Sequence, residues 1–426
     1  MAGSHLSRDF FDLIKAIGEA KSKQVRAGAL ARERNFTRAP PSSFQPLPSP
    51  QLVHYARCTA RPFCLAPLQE EDRIVVLEVS DAKKRLADRT LTGKRLKEYL
   101  LRLVYVEMLG HDASFGYMKA VELSASANLL EKRVAYLCAG LCFAPEHEFR
   151  MMLVNRLQRD LQSANVLEVS IALSACAKIL TTDMIPAVLP IVQNLLKHDQ
   201  EIVRKKTIML LHRFLQLSPE SVSHMGDKFR RALCDKDPSV MGASLHLFSE
   251  MMRIDPTPYK DLVPSFVSIL KQVVEHRLPR DFDYHRVPAP WLQMKMLRIL
   301  AAQGRADQAS SEQMYEVLLD VIRRGDTGTN VGYAILYECV KTVTTIYPNA
   351  ALLDAAAASI ARFITSESHN LKYLGVTGLA AIVKDHPKYA AEHQLAVIDC
   401  ASSAFCPAAH APLHWLFPTL PPRLFL

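Results

Sequence analysis

The sequence predicts an all-α chain whose helices pair and stack into a right-handed solenoid. Three observations predict it. Polar-to-apolar junctions that open a helix recur at a near-constant interval, in the segments beginning at Asn128, Asn165, Glu201 and Pro238. Their third residues, Leu130, Leu167, Val203 and Val240, stand 37, 36 and 37 apart, and a looser series runs on through Leu292, Val331 and Leu371 with steps of 52, 39 and 40. Apolar residues also recur with helical period: Leu96, Leu100, Leu103, Val104 and Met108 share one face, as do Val203, Thr207, Leu210, Leu211 and Phe214. Finally, 15 glycines and 2 tryptophans in 426 residues suit packed helices better than a sandwich or barrel. The interval is that of HEAT or armadillo repeats, in which a helix pair too small to bury its own apolar face stacks on its neighbours.

The segments follow in order. Residues 1–24 carry one amphipathic stretch. Residues 25–69 hold seven prolines, six arginines and a single acidic residue, Glu33, without helical period, and read as a disordered insert. Residues 70–400 are the repeats, with Lys97, Arg102 and Glu107 on the face opposite the first stripe and Lys205, Lys206 and Arg213 opposite the second. Turn chemistry at Gly110, Pro145, Pro219, Pro256 and Pro348 separates the helices. Within the 52-residue step, residues 278–290 contain three prolines and no period, which predicts an ordered excursion. Residues 401–426 form a second Pro-rich tail, with no acidic residue.

With 49% hydrophobic and 22% charged residues the chain can bury a long core. The net charge of +9 attracts an acidic partner, nucleic acid or an anionic membrane surface, without choosing between them. Nine cysteines lie mostly within apolar helical stretches and accompany no signal peptide, which predicts reduced thiols in the cytosol. The longest apolar stretches are broken by charge before bilayer length, so membrane contact is expected to be peripheral.

No constellation predicts catalysis. Cys138 and Cys142 sit one turn apart near His147, but four ligands at metal-binding spacing are missing, and they read as core cysteines. His111, Asp112 and Ser114 are adjacent in sequence, which is not a triad, and read as a turn. There is no phosphate-binding loop, dinucleotide fingerprint or zinc-protease motif. No catalytic residue, cofactor or metal is assigned. The densest charge cluster spans residues 83–102: Lys83, Lys84, Arg85, Arg89, Lys94, Arg95, Lys97 and Arg102 against Asp88 and Glu98. A cluster of this density attracts anionic lipid by about 1 kcal/mol per residue.

Strings distributed in order along the chain resemble one family. They include Tyr105-Val106-Glu107-Met108-Leu109-Gly110-His111-Asp112, Ile185-Pro186-Ala187-Val188-Leu189-Pro190, Val287-Pro288-Ala289-Pro290-Trp291-Leu292-Gln293 and Asn370-Leu371-Lys372-Tyr373-Leu374-Gly375. They resemble the adaptin large subunits, and among these the epsilon type of the fourth adaptor complex, over residues 5–24 and 70–400. The resemblance implies a non-enzymatic trunk of a heterotetrameric vesicle coat, holding beta, medium and small subunits on its repeat surface. It further implies recruitment by an Arf-family GTPase to the cytoplasmic face of trans-Golgi network membranes, and no nucleic-acid partner. A phosphoinositide site is implied for Lys94, Arg95, Lys97 and Arg102, since Lys97 matches a lipid-binding lysine of the plasma-membrane adaptor's alpha subunit; the neighbouring cluster positions are Leu96 and Glu98. The arginine that some adaptins set against acidic dileucine signals is matched by Gly18, so that route is not implied. Against the family pattern, residues 25–69 and 401–426 read as translated intron sequence, with the rest of the trunk, the hinge and the ear lacking. The alternative function is another protein-binding scaffold of HEAT type, such as a nuclear transport receptor, which the positive charge disfavours.

Overall fold

The computed structural model describes residues 65–88 and 90–389. The segment 1–24, most of the insert 25–69 and the tail 401–426 therefore lie outside the described residues, as does Arg89. The chain divides into two compact units, residues 1–188 and 189–426.

The first unit is built from α1 (Leu65–Leu86), α2 (Gly93–Met108), α3 (Tyr117–Ser124), α4 (Leu129–Cys142), α5 (Phe149–Leu161) and α6 (Val166–Ile179), and ends in the first turn of α7 (Ile185–Leu195). α2, α4 and α6 pack side by side as one layer, while α1, α3 and α5 pair with them as the other. α1 begins within the segment read as insert. Its Pro67 falls in the first turn, where a missing N–H removes no helical bond, so the helix reaches five residues further back than position 70.

The second unit continues with α8 (Glu201–Leu217), α9 (Gly226–Leu233), α10 (Pro238–Ile254), α11 (Val263–Val274), α12 (Pro290–Gly304), α13 (Tyr315–Gly325), α14 (Asn330–Val343), α15 (Ala350–Ile364) and α16 (His369–Asp385). α8, α10, α12, α14 and α16 form a layer in sequence order, and α9, α11, α13 and α15 pair with it. The anticipated breaks all occur. Gly110 takes a left-handed φ of 92° just past α2, a conformation glycine adopts without penalty.

The all-α fold holds, and the expected excursion carries the one short stretch of paired extended backbone among the described residues. Residues 283–284 and 287–288 form a two-residue antiparallel hairpin, β1 and β2, inside the excursion. Its turn places His285 and Arg286 at φ of 50° and 65°, left-handed values that cost non-glycine residues energy. Burial of Val287 and Pro288, together with a 2.7 Å bond from Gln293 Nε2 to the Pro288 carbonyl, holds the hairpin against that cost.

The repeat junctions show why the interval recurs. Ser126-Ala127-Asn128-Leu129-Leu130-Glu131 and Ser163-Ala164-Asn165-Val166-Leu167-Glu168 are one motif, 37 residues apart. Asn128 and Asn165 cap α4 and α6, each accepting from the amide two residues on at 2.9 and 3.0 Å, and each glutamate accepts from its serine hydroxyl. Position 130 is therefore the second helical residue, whereas Val203 is the third of α8 and Val240 the third of α10. The equated residues are out of step by one: Val203 and Val240 are buried, while Leu130 and Leu167 are 60% and 62% exposed. The stripe of α8 behaves as expected, with Val203, Thr207, Leu210, Leu211 and Phe214 all buried. Met108, assigned to the buried stripe of α2, is 71% exposed, and Val106 is buried in its stead.

In the same frame Lys132 stands where the next repeat has Val169, and it is fully buried. Its ammonium donates to Asp160 at 2.9 Å and to Glu168, Tyr136 donates to Asp160, and Arg156 approaches Asp160 at 3.1 Å. This network ties α4 to both α5 and α6. Lys132 first, then Ser163, hold the Glu168 carboxyl below its ordinary value of 4.5. The unfolded chain thus binds the proton more readily, so that share of stability is complete above pH 4.5 and is lost as the pH falls through the lower folded value.

Lys132→Met is expected to destabilise the protein by about 3 kcal/mol, the low end for breaking a buried pair because Arg156 and Tyr136 still serve Asp160. Urea midpoints from circular dichroism should fall accordingly, and the variant should lose the acid-dependent part of the wild-type stability.

Candidate functional site: a basic corner and an exposed apolar layer

α1 and α2 form an antiparallel pair closed by residues 87–92, so the last turn of α1 and the first turn of α2 meet at one corner. Lys83, Lys84 and Arg85 arrive on the first, Lys94, Arg95 and Lys97 on the second. Within the corner, Asp88 accepts from the Thr90 amide at 2.9 Å and its hydroxyl at 2.7 Å, which hold its carboxyl below the usual range and shape the turn.

The two groups of cations differ electrostatically. Lys83, Lys84 and Arg85 sit at a helix C-terminus, where positive charge complements the macrodipole and needs no external partner. Lys83 also lies 4.9 Å above the Phe115 ring, and Arg85 reaches Asp81 at 3.6 Å. Lys94, Arg95 and Lys97 oppose the dipole of α2, whose first turn has no acidic residue. Its N-cap Thr92 makes no side-chain capping bond. What balances the helix start from within is Glu131, whose carboxylate lies where a side chain at Gly93 would project, so a larger residue there would push the carboxylate away. Lys94 and Arg95 are exposed and Lys97 half-buried.

Arg102 does not belong to this site. It lies further along α2, where α1 crosses it, and donates to Glu78 at 2.8 Å with its guanidinium 5.0 Å from the Tyr99 ring. The Glu78 side chain is only 2% exposed. Burial pushes its carboxyl up and Arg102 pulls it part of the way back. Arg102 is a tie between helices, and sequence counting added it to the cluster because the pairing partner is 24 residues away.

The residues weighed for catalysis or metal binding are structural. Asp112 accepts from the Ser114 amide at 3.0 Å and from its hydroxyl, as a residue that shapes a turn does, while His111 faces Asp72 at 3.4 Å and not this pair. Cys138 is buried, and the hydrogen bond between the free Cys138 and Cys142 thiols, ahead of burial, pushes Cys138 up and Cys142 down from the usual thiol range. His147 packs its ring on Phe143 and Phe149 and accepts from the Phe149 amide at 3.2 Å.

Sequence reading missed the second feature. On the layer of α2, α4 and α6, Leu101, Tyr105 and Met108 form one exposed stripe, and Leu130, Leu137 and Leu141 a second on the adjoining helix, with Leu167 beyond. The signal was present in α2, whose apolar residues at 100, 101, 103, 104, 105, 106 and 108 exceed what one buried face can hold. Large apolar side chains left exposed on adjoining helices of a folded chain make this layer a candidate site of contact.

Comparison with known proteins places these features. A family model described as the adaptin N-terminal region matches residues 77–403. The AP-4 complex subunit epsilon of Arabidopsis thaliana is 46% identical over 394 residues, covering 92% of this chain and 37% of that protein. AP-4 complex subunit epsilon-1 of Homo sapiens is 47% identical over 336 residues, covering 79% of this chain and 30% of that protein. The chain thus spans about a third of the length of these curated relatives. Among structures, a homology model of the full-length AP-3 complex in an intermediate open conformation superposes with a TM-score of 0.56 at 22% identity, covering 73% of this chain and 52% of that one, and shares its helical-repeat fold.

Replacing Arg102 by Met should strand Glu78 in a buried setting and cost about 1–3 kcal/mol. Lys94→Met should stay within about 0.5 kcal/mol of wild type. Thermal midpoints of the two variants separate the tie from the corner.

Proposed function

The chain belongs to the adaptin family, in which it is epsilon-like, and on that premise we propose that it is a non-enzymatic large-subunit scaffold of a vesicle-coat adaptor. The observation that carries this reading is its likeness to AP-4 epsilon subunits along most of its length. In the proposed role the exposed layer of α2, α4 and α6 seats another subunit of a heterotetramer with beta, medium and small partners. Leu101, Tyr105, Met108, Leu137 and Leu141 lose their water there, and each fully buried aliphatic side chain contributes about 1.5–3 kcal/mol before the costs of association.

The basic corner faces the membrane in the same proposal. Lys94, Arg95 and Lys97 offset their unfavourable position in the helix dipole by meeting anionic lipid headgroups, with Lys83, Lys84 and Arg85 adding to the field. Phosphoinositide is the fitting headgroup chemistry, an Arf-family GTPase the recruiting partner and the cytoplasmic face of the trans-Golgi network the place of action. Arg102 takes no part.

Two measurements test the reading. Lys94→Glu, Arg95→Glu and Lys97→Glu together should reduce sedimentation with phosphoinositide-containing liposomes at least about tenfold at low salt, the difference shrinking as salt rises. Unchanged recruitment removes the corner from the membrane. Separately, Leu137→Glu with Leu141→Glu should abolish co-purification with the small subunit while leaving helicity intact; retained capture assigns the subunit to another surface.

A further inference from the structure

In the second unit a crevice of about 190 Å3 opens between α7, α8, α9 and α10, and neither the membrane-facing corner nor the apolar layer uses it. Its floor is apolar. Ile208 and Val240 are buried there with Ala243, and Leu196 and Ala232 pack against them. Its rim carries Lys197, Arg204, Lys228 and Arg231, with Asp235 the one acidic lining residue.

Two of these cations and the acid are already committed. Arg204 donates to the Asp235 carboxylate at 2.8 and 2.9 Å and to the carbonyls of His198 and Asp199 at 2.9 and 2.8 Å. Lys228 donates to Gln193 Oε1 at 2.9 Å. Lys197 and Arg231 are exposed, and among the described residues no carboxylate stands within ion-pair distance of either. They come from different elements, the turn after α7 and the helix α9, and both line the one cavity.

We propose that the crevice receives the carboxyl-terminal residue of a partner polypeptide that ends in an aliphatic side chain. The side chain lies on Ile208 and Val240, and the terminal carboxylate pairs with Arg231 and Lys197. Three physical points select this occupant. The volume suits one aliphatic side chain. The apolar floor gives a bare phosphate or lipid headgroup nothing to gain, whereas an aliphatic group gains from leaving water. A carboxylate matches the two-pronged donor geometry of a guanidinium, with the lysine adding a point charge. The inference is independent of the membrane-facing reading.

The test uses the full chain labelled at isoleucine methyl groups and three probes: N-acetyl-Leu-Leu with a free carboxylate, its carboxamide, and N-acetyl-Glu-Leu-carboxamide, which carries an internal acid. The free acid is expected to shift the Ile208 methyl signal and to saturate near about 1 mM, the range for so small a ligand, with the two amides at least about tenfold weaker. Arg231→Glu should remove the shift through charge, and Ala232→Phe should remove it by filling the hole. Equal response to acid and amide overturns the proposal, as does stronger binding of the internal-acid probe, which would assign the crevice to a running acidic segment. Binding that survives Arg231→Glu, or no shift at about 10 mM, overturns it equally.

Discussion

Each helix pair of this chain carries more apolar surface than two helices can hide from water, and the architecture follows from placing the excess against the next pair. Leu211 and Phe214 of α8 and Leu245 and Phe248 of α10 are fully buried because α8 and α10 lie side by side. Burying a side chain of this size contributes about 1.5–3 kcal/mol, and a repeat that contacts only its neighbours gains it only when they are present. The same dependence fixes the junctions. A helix must start where its neighbour starts if the stripes are to coincide, which is what the repeated Ser-Ala-Asn cap enforces at α4 and α6.

Polar ties cross the same interfaces and determine which repeats fit. Lys132 fills a position that the following repeat gives to valine, and Asp160 and Glu168 make that tolerable. In the second unit Arg204–Asp235, Arg230–Asp261 and Arg298–Glu338 likewise join residues 31 to 40 apart. Most of these are partly exposed and contribute little to stability. Their value is registry: a one-residue slip separates every pair and turns the apolar stripe away from its neighbour, so the two requirements reinforce each other.

Function draws on what stacking leaves over. Along α2 and α4, Leu101, Tyr105, Met108, Leu130, Leu137 and Leu141 face outward, so the repeats that bury one apolar face leave part of another in water. At the corner of α1 and α2 three cations stand at the wrong end of a helix dipole, with Glu131 as the internal counterweight. Cys138, Cys142, His111 and His147 are engaged in packing, turns and hydrogen bonds.

The residues alone determined the fold class, the helix breaks and the identity of the family, because period, capping chemistry and ordered strings are local properties of the chain. They also located the basic corner, since its two halves are joined by a short turn. Tertiary structure alone decided which apolar residues are core: Leu130, Leu167 and Met108 have helical spacing like any other, and only the position of the neighbouring helix exposes them. It decided the roles of charges too. Arg102 reads as a surface cation until Glu78, 24 residues away, is brought beside it, and the burial of Lys132 follows only from Asp160, 28 residues on. Charge and hydropathy are written residue by residue, whereas burial and pairing belong to contacts between residues far apart in the chain.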